Sequence, residues 1–110
     1  MSVFERLAKR RHLPVGDTGL HVREQTFGEV RRIGNVDGDM AKTWLTLGFS
    51  LVDAAGERLV VQPEGMSDSE FAVLIENMLQ DVMTPALLHQ ITEALTKLAK
   101  PVNTEALVKN

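Results

Sequence analysis

Apolar residues recur at helical spacing in several stretches of the chain, and two of these stretches begin with a capping signature. Thr26 is followed three residues later by Glu29, and Ser67 is followed in the same way by Glu70. In such a box the hydroxyl accepts from the backbone N–H three residues on, and the carboxylate accepts from the N–H of the capping residue. The first box predicts a helix over residues 27–33 that ends at Gly34. The second predicts a helix with an apolar stripe formed by Phe71, Leu74, Ile75, Met78, Leu79 and Val82.

The central segment, residues 40–52, is apolar on most sides and follows a polar turn, residues 35–39, that places Asp39 to cap a helix. Such wide apolar coverage is typical of a helix that is buried on most of its surface. Gly48 lies in its middle, where glycine costs about 1 kcal/mol relative to alanine. We therefore expect Gly48 to permit a close helix crossing or a bend.

Two further helices are predicted at the ends of the chain. Thr84 caps the last one and Pro85 occupies its first turn, which is the position where proline is best tolerated. Its core-facing residues are Leu87, Leu88, Ile91, Leu95 and Leu98, and Pro101 ends the helix. At the other end, residues 2–9 form a short helix capped by Ser2. Because two turns are marginal alone, this helix either docks on the core or becomes ordered on a partner.

Residues 13–15 and 20–22 alternate apolar and polar positions around residues 16–19, which are rich in turn formers, and so predict a β-hairpin. Pro14 confines its strand to the edge of a sheet. Residues 58–62 are short and extended, which leaves pairing with the hairpin or lying across the core as alternatives. The pattern as a whole predicts a small α+β domain over residues 1–101, mostly helical with four to five helices, and a flexible tail over residues 102–110.

Composition narrows the classes of function. With 110 residues the chain forms one domain, and its formal net charge of -3 does not favour nucleic acid as a partner. There are no cysteines, so a disulfide framework and a thiolate zinc site are both excluded. Neither a membrane-spanning run nor a signal peptide is recognisable. We therefore expect a soluble, cytoplasmic protein without a membrane partner.

Two short motifs resemble catalytic or metal sites but fail their wider requirements. The segment Asp17-Thr-Gly matches the turn of aspartic proteases, but that fold is nearly all β, whereas the second half of this chain is helical. In residues 35–39, placing Gly38 at the sixth position of a calcium loop puts Ile33 first and Trp44 twelfth, where carboxylates are required. A hairpin turn and a polar helix cap are the better interpretations.

The remaining chemistry-bearing residues are isolated in the sequence. His12, His21 and His89 are scattered, with no pair at the i and i+4 spacing of helical metal sites. Ser50 lies in Gly-Phe-Ser-Leu-Val, which lacks the second glycine of a nucleophile elbow. Neither a dinucleotide-binding nor a phosphate-loop glycine pattern is present. We therefore expect no catalytic residues, no metal and no cofactor, and hence a protein that is not an enzyme.

Several segments together resemble a known family over roughly residues 20–101. They are Leu20-His-Val-Arg-Glu, Phe27-Gly-Glu-Val-Arg-Arg, Leu47-Gly-Phe-Ser-Leu-Val-Asp, Gly56-Glu-Arg-Leu-Val and the closing leucine-rich helix. In these the chain is similar to the tail assembly chaperones of long-tailed bacteriophages. The resemblance implies non-covalent binding of the tape-measure protein and promotion of tail-tube assembly, with the tail tube protein as a further partner. It also implies a place in the host cytoplasm of a phage or prophage and absence from the mature virion.

More apolar helix surface is present than a lone domain of this size buries easily, which favours a partner chain and self-association into a homo-oligomer. The predicted partner-binding residues are Val3, Phe4 and Leu7, with Met78 and Met83 as weaker candidates. For each of them, completing the core is an equally good interpretation. Two other functions stay open: a structural head-tail connector or tail completion subunit, and, as a weaker alternative, a small transcription regulator.

Overall fold

The computed structural model describes residues 2–8 and 10–99, and for residues 6–8 it describes the backbone alone. The predicted α+β fold with an N-terminal hairpin is confirmed. Within the described residues the order of elements is α1 (Val3–Ala8), β1 (His12–Pro14), β2 (His21–Arg23), α2 (Phe27–Asn35), α3 (Asp39–Ser50), β3 (Leu51–Val52), α4 (Asp68–Leu79) and α5 (Pro85–Ala99). Pro101 and the predicted tail, residues 102–110, lie outside the described residues.

The three short strands form an antiparallel sheet in the order β1-β2-β3. Leu13 pairs with Val22 in the hairpin, and Val22 pairs in turn with Leu51. Pro14 lies on β1, at the edge of this sheet, as predicted, because a residue without an N–H cannot complete the ladder of a central strand. β2 therefore pairs with β1 on one side and with β3 on the other, and β3 follows directly from α3.

The third strand corrects two sequence-based expectations. The predicted central helix, residues 40–52, ends at Ser50, and the next two residues are β3. Residues 58–62, the predicted extended segment, contribute only a bridge between Arg58 and Val52 among the described residues. The reason is tertiary: β2 offers Leu51 and Val52 a ladder, while the Asp53 carboxylate accepts from the N–H groups of Ala55 and Glu57 and turns the chain immediately afterwards.

The helix caps follow the sequence closely, with one exception. Both predicted capping boxes form, at Thr26 and at Ser67. The Thr84 hydroxyl accepts from the Leu87 N–H at 3.1 Å, as expected for a cap. Asp39, however, is the first residue of α3 rather than its cap. Gly38 takes the capping position with a φ of 92°, a backbone conformation that glycine adopts without strain.

The core is organised by the crossing of α3 and α4, which pack more extensively on each other than any other pair of elements. Gly48 lies at the crossing, and a Cβ placed there would lie 2.1 Å from Cδ1 and 3.0 Å from Cγ1 of the buried Ile75. The predicted close crossing at Gly48 is thus confirmed. Around it, α5 packs on β1 and β2, so that all layers share one apolar core.

We predict that Gly48→Ala destabilises the fold by about 1–2 kcal/mol, because overpacking outweighs the higher helix propensity of alanine. Urea unfolding followed by the fluorescence of Trp44, the single tryptophan, measures this. Gly34→Ala is the matched control, since Gly34 is also helical and has no atom near an added Cβ. Ile75→Val removes Cδ1, so it should partly rescue Gly48→Ala. A stability gain in Gly48→Ala would contradict the close crossing.

A buried carboxylate fixes α2 against the sheet. Glu29 is 7% exposed and accepts from Arg10 at 2.6 Å and from Arg23 at 3.4 Å. It also accepts from the Thr26 backbone N–H, as part of the capping box. Arg23 donates in addition to the Phe49 carbonyl near the end of α3 at 2.9 Å. One side chain therefore joins α2, the hairpin and, through Arg23, the end of α3.

We predict that Glu29→Gln lowers the free energy of unfolding by about 2–4 kcal/mol, because it leaves two partly buried guanidinium groups without their anion. Urea denaturation measures the loss. Glu24→Gln is the control, because Glu24 pairs with Arg11 at a solvent-exposed site and should cost only a small fraction of that loss. Equal losses in both variants would show that burial of Glu29 is not the deciding factor.

A second ion pair links α2 to the beginning of α4. Arg32 donates to the Asp68 carboxylate from Nε at 3.1 Å and from Nη2 at 2.7 Å, and Gln62 donates to the same group. The hydrogen bond from the Arg32 guanidinium, which is the largest effect, and the hydrogen bond from Gln62 both lower the pKa of Asp68. The charged form of Asp68 therefore stabilises the fold.

We predict that the free energy of unfolding falls as the pH drops below about 4, the ordinary range of an unfolded aspartate. Since the folded pKa of Asp68 is lowered, its contribution is complete above that range and is lost as the pH falls through the folded value. Urea unfolding at pH 3 to 7 should show a smaller decrease for Asp68→Asn and for Arg32→Gln than for the unmodified chain. An unchanged pH profile in both variants would contradict this role of the pair.

Candidate partner-binding groove

An open groove runs between α3 and α5. It consists of two adjoining depressions of about 400 and 380 Å³ that share the side chains of Thr46, Thr92 and Leu95. α5 packs on β1 and β2, and it also contributes Leu88, Ile91 and Leu95 to the lining of the groove. The α3–α5 groove, as we call it, is lined mainly by the apolar and threonine side chains of Val30, Thr43, Thr46, Leu47, Leu88, Thr92, Leu95 and Thr96.

The threonines make this lining less polar than the sequence implies. In each of them the hydroxyl donates to the carbonyl four residues earlier: Thr43 to Asp39, Thr46 to Lys42, Thr92 to Leu88 and Thr96 to Thr92. A hydroxyl bonded within its own helix needs no partner from outside. The groove can therefore accept an apolar surface without leaving these hydroxyls unsatisfied.

The charged residues that border the groove are engaged within the molecule. At one end, the Lys42 ammonium donates to the carbonyls of Gly34 and Val36 and so closes the end of α2. At the other end, Glu24 accepts from Arg11 at 2.8 Å, and this hydrogen bond lowers the pKa of Glu24. Specificity for a ligand would then come from shape and apolar contact more than from new ion pairs.

One wall of the groove continues into exposed apolar surface on α2. Val30 lines the groove and is 51% exposed, and Phe27, one helical turn earlier, is 92% exposed. A phenylalanine this exposed on a helix is typical of a binding surface when it adjoins further apolar side chains. Phe27 and Val30 were not among the predicted site residues. Their i, i+3 spacing on a two-turn helix was the available signal, but it equally suits a buried stripe.

The five predicted partner-binding residues lie away from this groove as far as their side chains are described. Val3 and Phe4 on α1 are exposed, Phe4 to 82%, and Met78 on α4 is half exposed. Met83 is half-buried and packs on the core, so for this residue the structure favours the core interpretation. The side chain of Leu7 lies outside the described part of the chain. None of the four described side chains lines the α3–α5 groove.

The structure places the candidate catalytic motif in an ordinary turn. Thr18 donates from its hydroxyl to the Val15 carbonyl at 2.7 Å, and Gly16 and Gly19 on either side of Asp17-Thr18 have positive φ values. Asp17 is exposed. The hairpin-turn interpretation therefore accounts for the residues of this motif.

The histidines differ from expectation. His12 and His21, scattered in the sequence, lie side by side in the hairpin, with their Nδ1 atoms 2.9 Å apart. Antiparallel pairing brings together residues nine positions apart, which a search for helical spacing does not detect. Among residues 2–8 and 10–99, no group of three His, Cys, Asp or Glu side chains is arranged around a common metal position.

Comparison with protein families, curated proteins and solved structures finds no match to this chain. In the described part of the chain, no helix combines the length and apolar character needed to cross a bilayer.

Proposed function

We propose that this chain is a tail assembly chaperone of a long-tailed bacteriophage or prophage, which binds helices of the tape-measure protein in the α3–α5 groove. The observation that carries the proposal is the groove itself, apolar in lining and continuous with Val30 and the exposed Phe27. An amphipathic helix that lays its apolar face into such a groove is a common mode of recognition. The segments that resemble tail assembly chaperones supply the identity of the partner.

The mechanism is reversible burial. A long helical protein is prone to aggregate through its apolar stripe, and each chaperone that covers part of this stripe keeps it in solution. The rim charges, Lys42 and Glu24, are already paired within the chaperone, so that binding needs little rearrangement of the groove. Release during tail-tube assembly then leaves the chaperone in the host cytoplasm, outside the mature virion.

Several copies on one tape-measure chain would give strong overall binding from modest single contacts. The exposed apolar side chains outside the groove, among them Phe4 on α1 and Met78 on α4, are suited to contacts between neighbouring copies. This supports a homo-oligomer along the target. The tail tube protein is the second partner in this proposal, meeting the complex as the tube grows around the tape measure.

We predict that Val30→Glu weakens binding of a cognate tape-measure fragment at least tenfold, because a carboxylate enters the apolar lining. Titration calorimetry with the purified fragment measures this. Val73→Glu is the matched control, since Val73 is a helical valine of similar exposure, 57% against 51%, that does not line the groove. Both positions are exposed, so both variants should fold. Equal weakening by both changes, or no binding to the unmodified chain, would contradict the groove as the binding site.

A structural subunit, either a head-tail connector or a tail completion protein, is the second candidate. The exposed apolar residues that lie outside the groove favour this candidate, because a subunit of a permanent assembly contacts neighbours on more than one face. Mass spectrometry of purified particles separates the two candidates. A chaperone is absent from finished particles, whereas a connector is retained in fixed stoichiometry.

A further inference from the structure

His12 on β1 and His21 on β2 form a diagonal pair across the hairpin. In the register of the sheet, His12 lies opposite Arg23 and His21 lies opposite Pro14. The two Nδ1 atoms are 2.9 Å apart, and the ring centroids are 4.9 Å apart with an angle of 63° between the planes. Both residues are half-buried, so the sheet holds the rings in place while leaving part of each accessible.

A contact between two Nδ1 atoms requires that one ring carries its proton on Nδ1 and the other accepts with a lone pair. If instead both rings carry their protons on Nε2, the two Nδ1 lone pairs, on nitrogens 2.9 Å apart, are both available to one ion. An ion then replaces the shared proton: the proton of the donor ring moves from Nδ1 to Nε2 through solvent, and each Nδ1 supplies one lone pair to the metal.

The separation fits one coordination geometry better than another. With metal–nitrogen bonds of about 2.0–2.1 Å, two imidazole nitrogens at a right angle are about 2.8–3.0 Å apart, whereas tetrahedral ligands are about 3.3–3.4 Å apart. Right-angle arrangements of nitrogen ligands are typical of Cu²⁺ and Ni²⁺. We propose that His12 and His21 form a bidentate site for a late first-row divalent metal ion, with Cu²⁺ bound most tightly.

The site uses two protein ligands from one chain. Within the residues that the structure describes, no third His, Cys, Asp or Glu completes it, and water can occupy the remaining positions. The order of affinity should follow the general one for nitrogen sites, Cu²⁺ above Ni²⁺ and Zn²⁺. A bound ion would clamp β1 to β2, the two strands on which α5 packs. This site is independent of the groove and of the proposed function.

The test is calorimetric titration of the full chain with Cu²⁺ in the presence of glycine as a weak competitor, and with Ni²⁺ alone. We expect one Cu²⁺ per chain, and binding at least tenfold weaker in His12→Asn and in His21→Asn. His89→Asn is the control, because His89 is an exposed histidine on α5 beside Glu93 and should bind no ion tightly by itself. Unchanged affinity in both hairpin variants, or an equal loss in His89→Asn, would overturn the proposal.

A second measurement does not depend on how the variants fold. The electron paramagnetic resonance spectrum of Cu²⁺ on the unmodified chain should show two imidazole nitrogens, and Cu²⁺ should raise the melting temperature of the chain. A spectrum with a single coordinated imidazole, or no change in melting temperature at saturating Cu²⁺, would show that the pair is only a hydrogen bond.

Discussion

The contact between Gly48 and Ile75 is the constraint on which the rest of this structure depends. With no Cβ at residue 48, α4 approaches the backbone of α3 closely enough for the Ile75 side chain to occupy that space. The interface this creates buries Phe71 and Ile75 completely. Because α4 covers this side of α3, the side that carries Thr46 and Leu47 is left toward α5, and there the packing stays open as a groove. A close contact on one side of a helix thus determines where a groove is left open on the other.

Polar interactions then fix the parts that the apolar core does not specify. The buried Glu29 carboxylate pairs with Arg10 and Arg23. Ion pairs with little solvent exposure contribute to a unique geometry and are costly to disrupt. Arg32 and Asp68 form a corresponding link between α2 and α4 nearer the surface. These pairs orient α2, the helix that brings Phe27 and Val30 to the edge of the groove. The binding surface that we propose therefore depends on charges that never contact the ligand.

The groove and the histidine pair illustrate two ways in which function is placed on a small fold. The groove is lined by helix positions of α3 and α5 where threonine hydroxyls bond to their own helices and leave a surface of low polarity. The histidine pair is built from strand pairing, which brings two imidazoles within hydrogen-bonding distance.

Local rules in the sequence determined the helices and their beginnings. Thr26 with Glu29 and Ser67 with Glu70 formed their capping boxes, and the residues around Leu13 and Val22 formed the hairpin, because these structures depend on neighbours within a few positions. Tertiary structure decided what depends on distant partners. Leu51 and Val52 form a strand rather than the end of a helix because they pair with β2. Met83 packs against the core, whereas Phe27 is exposed. A periodic apolar pattern specifies which residues share a face, but only the packing of the whole chain decides which faces become covered and which stay open to a partner.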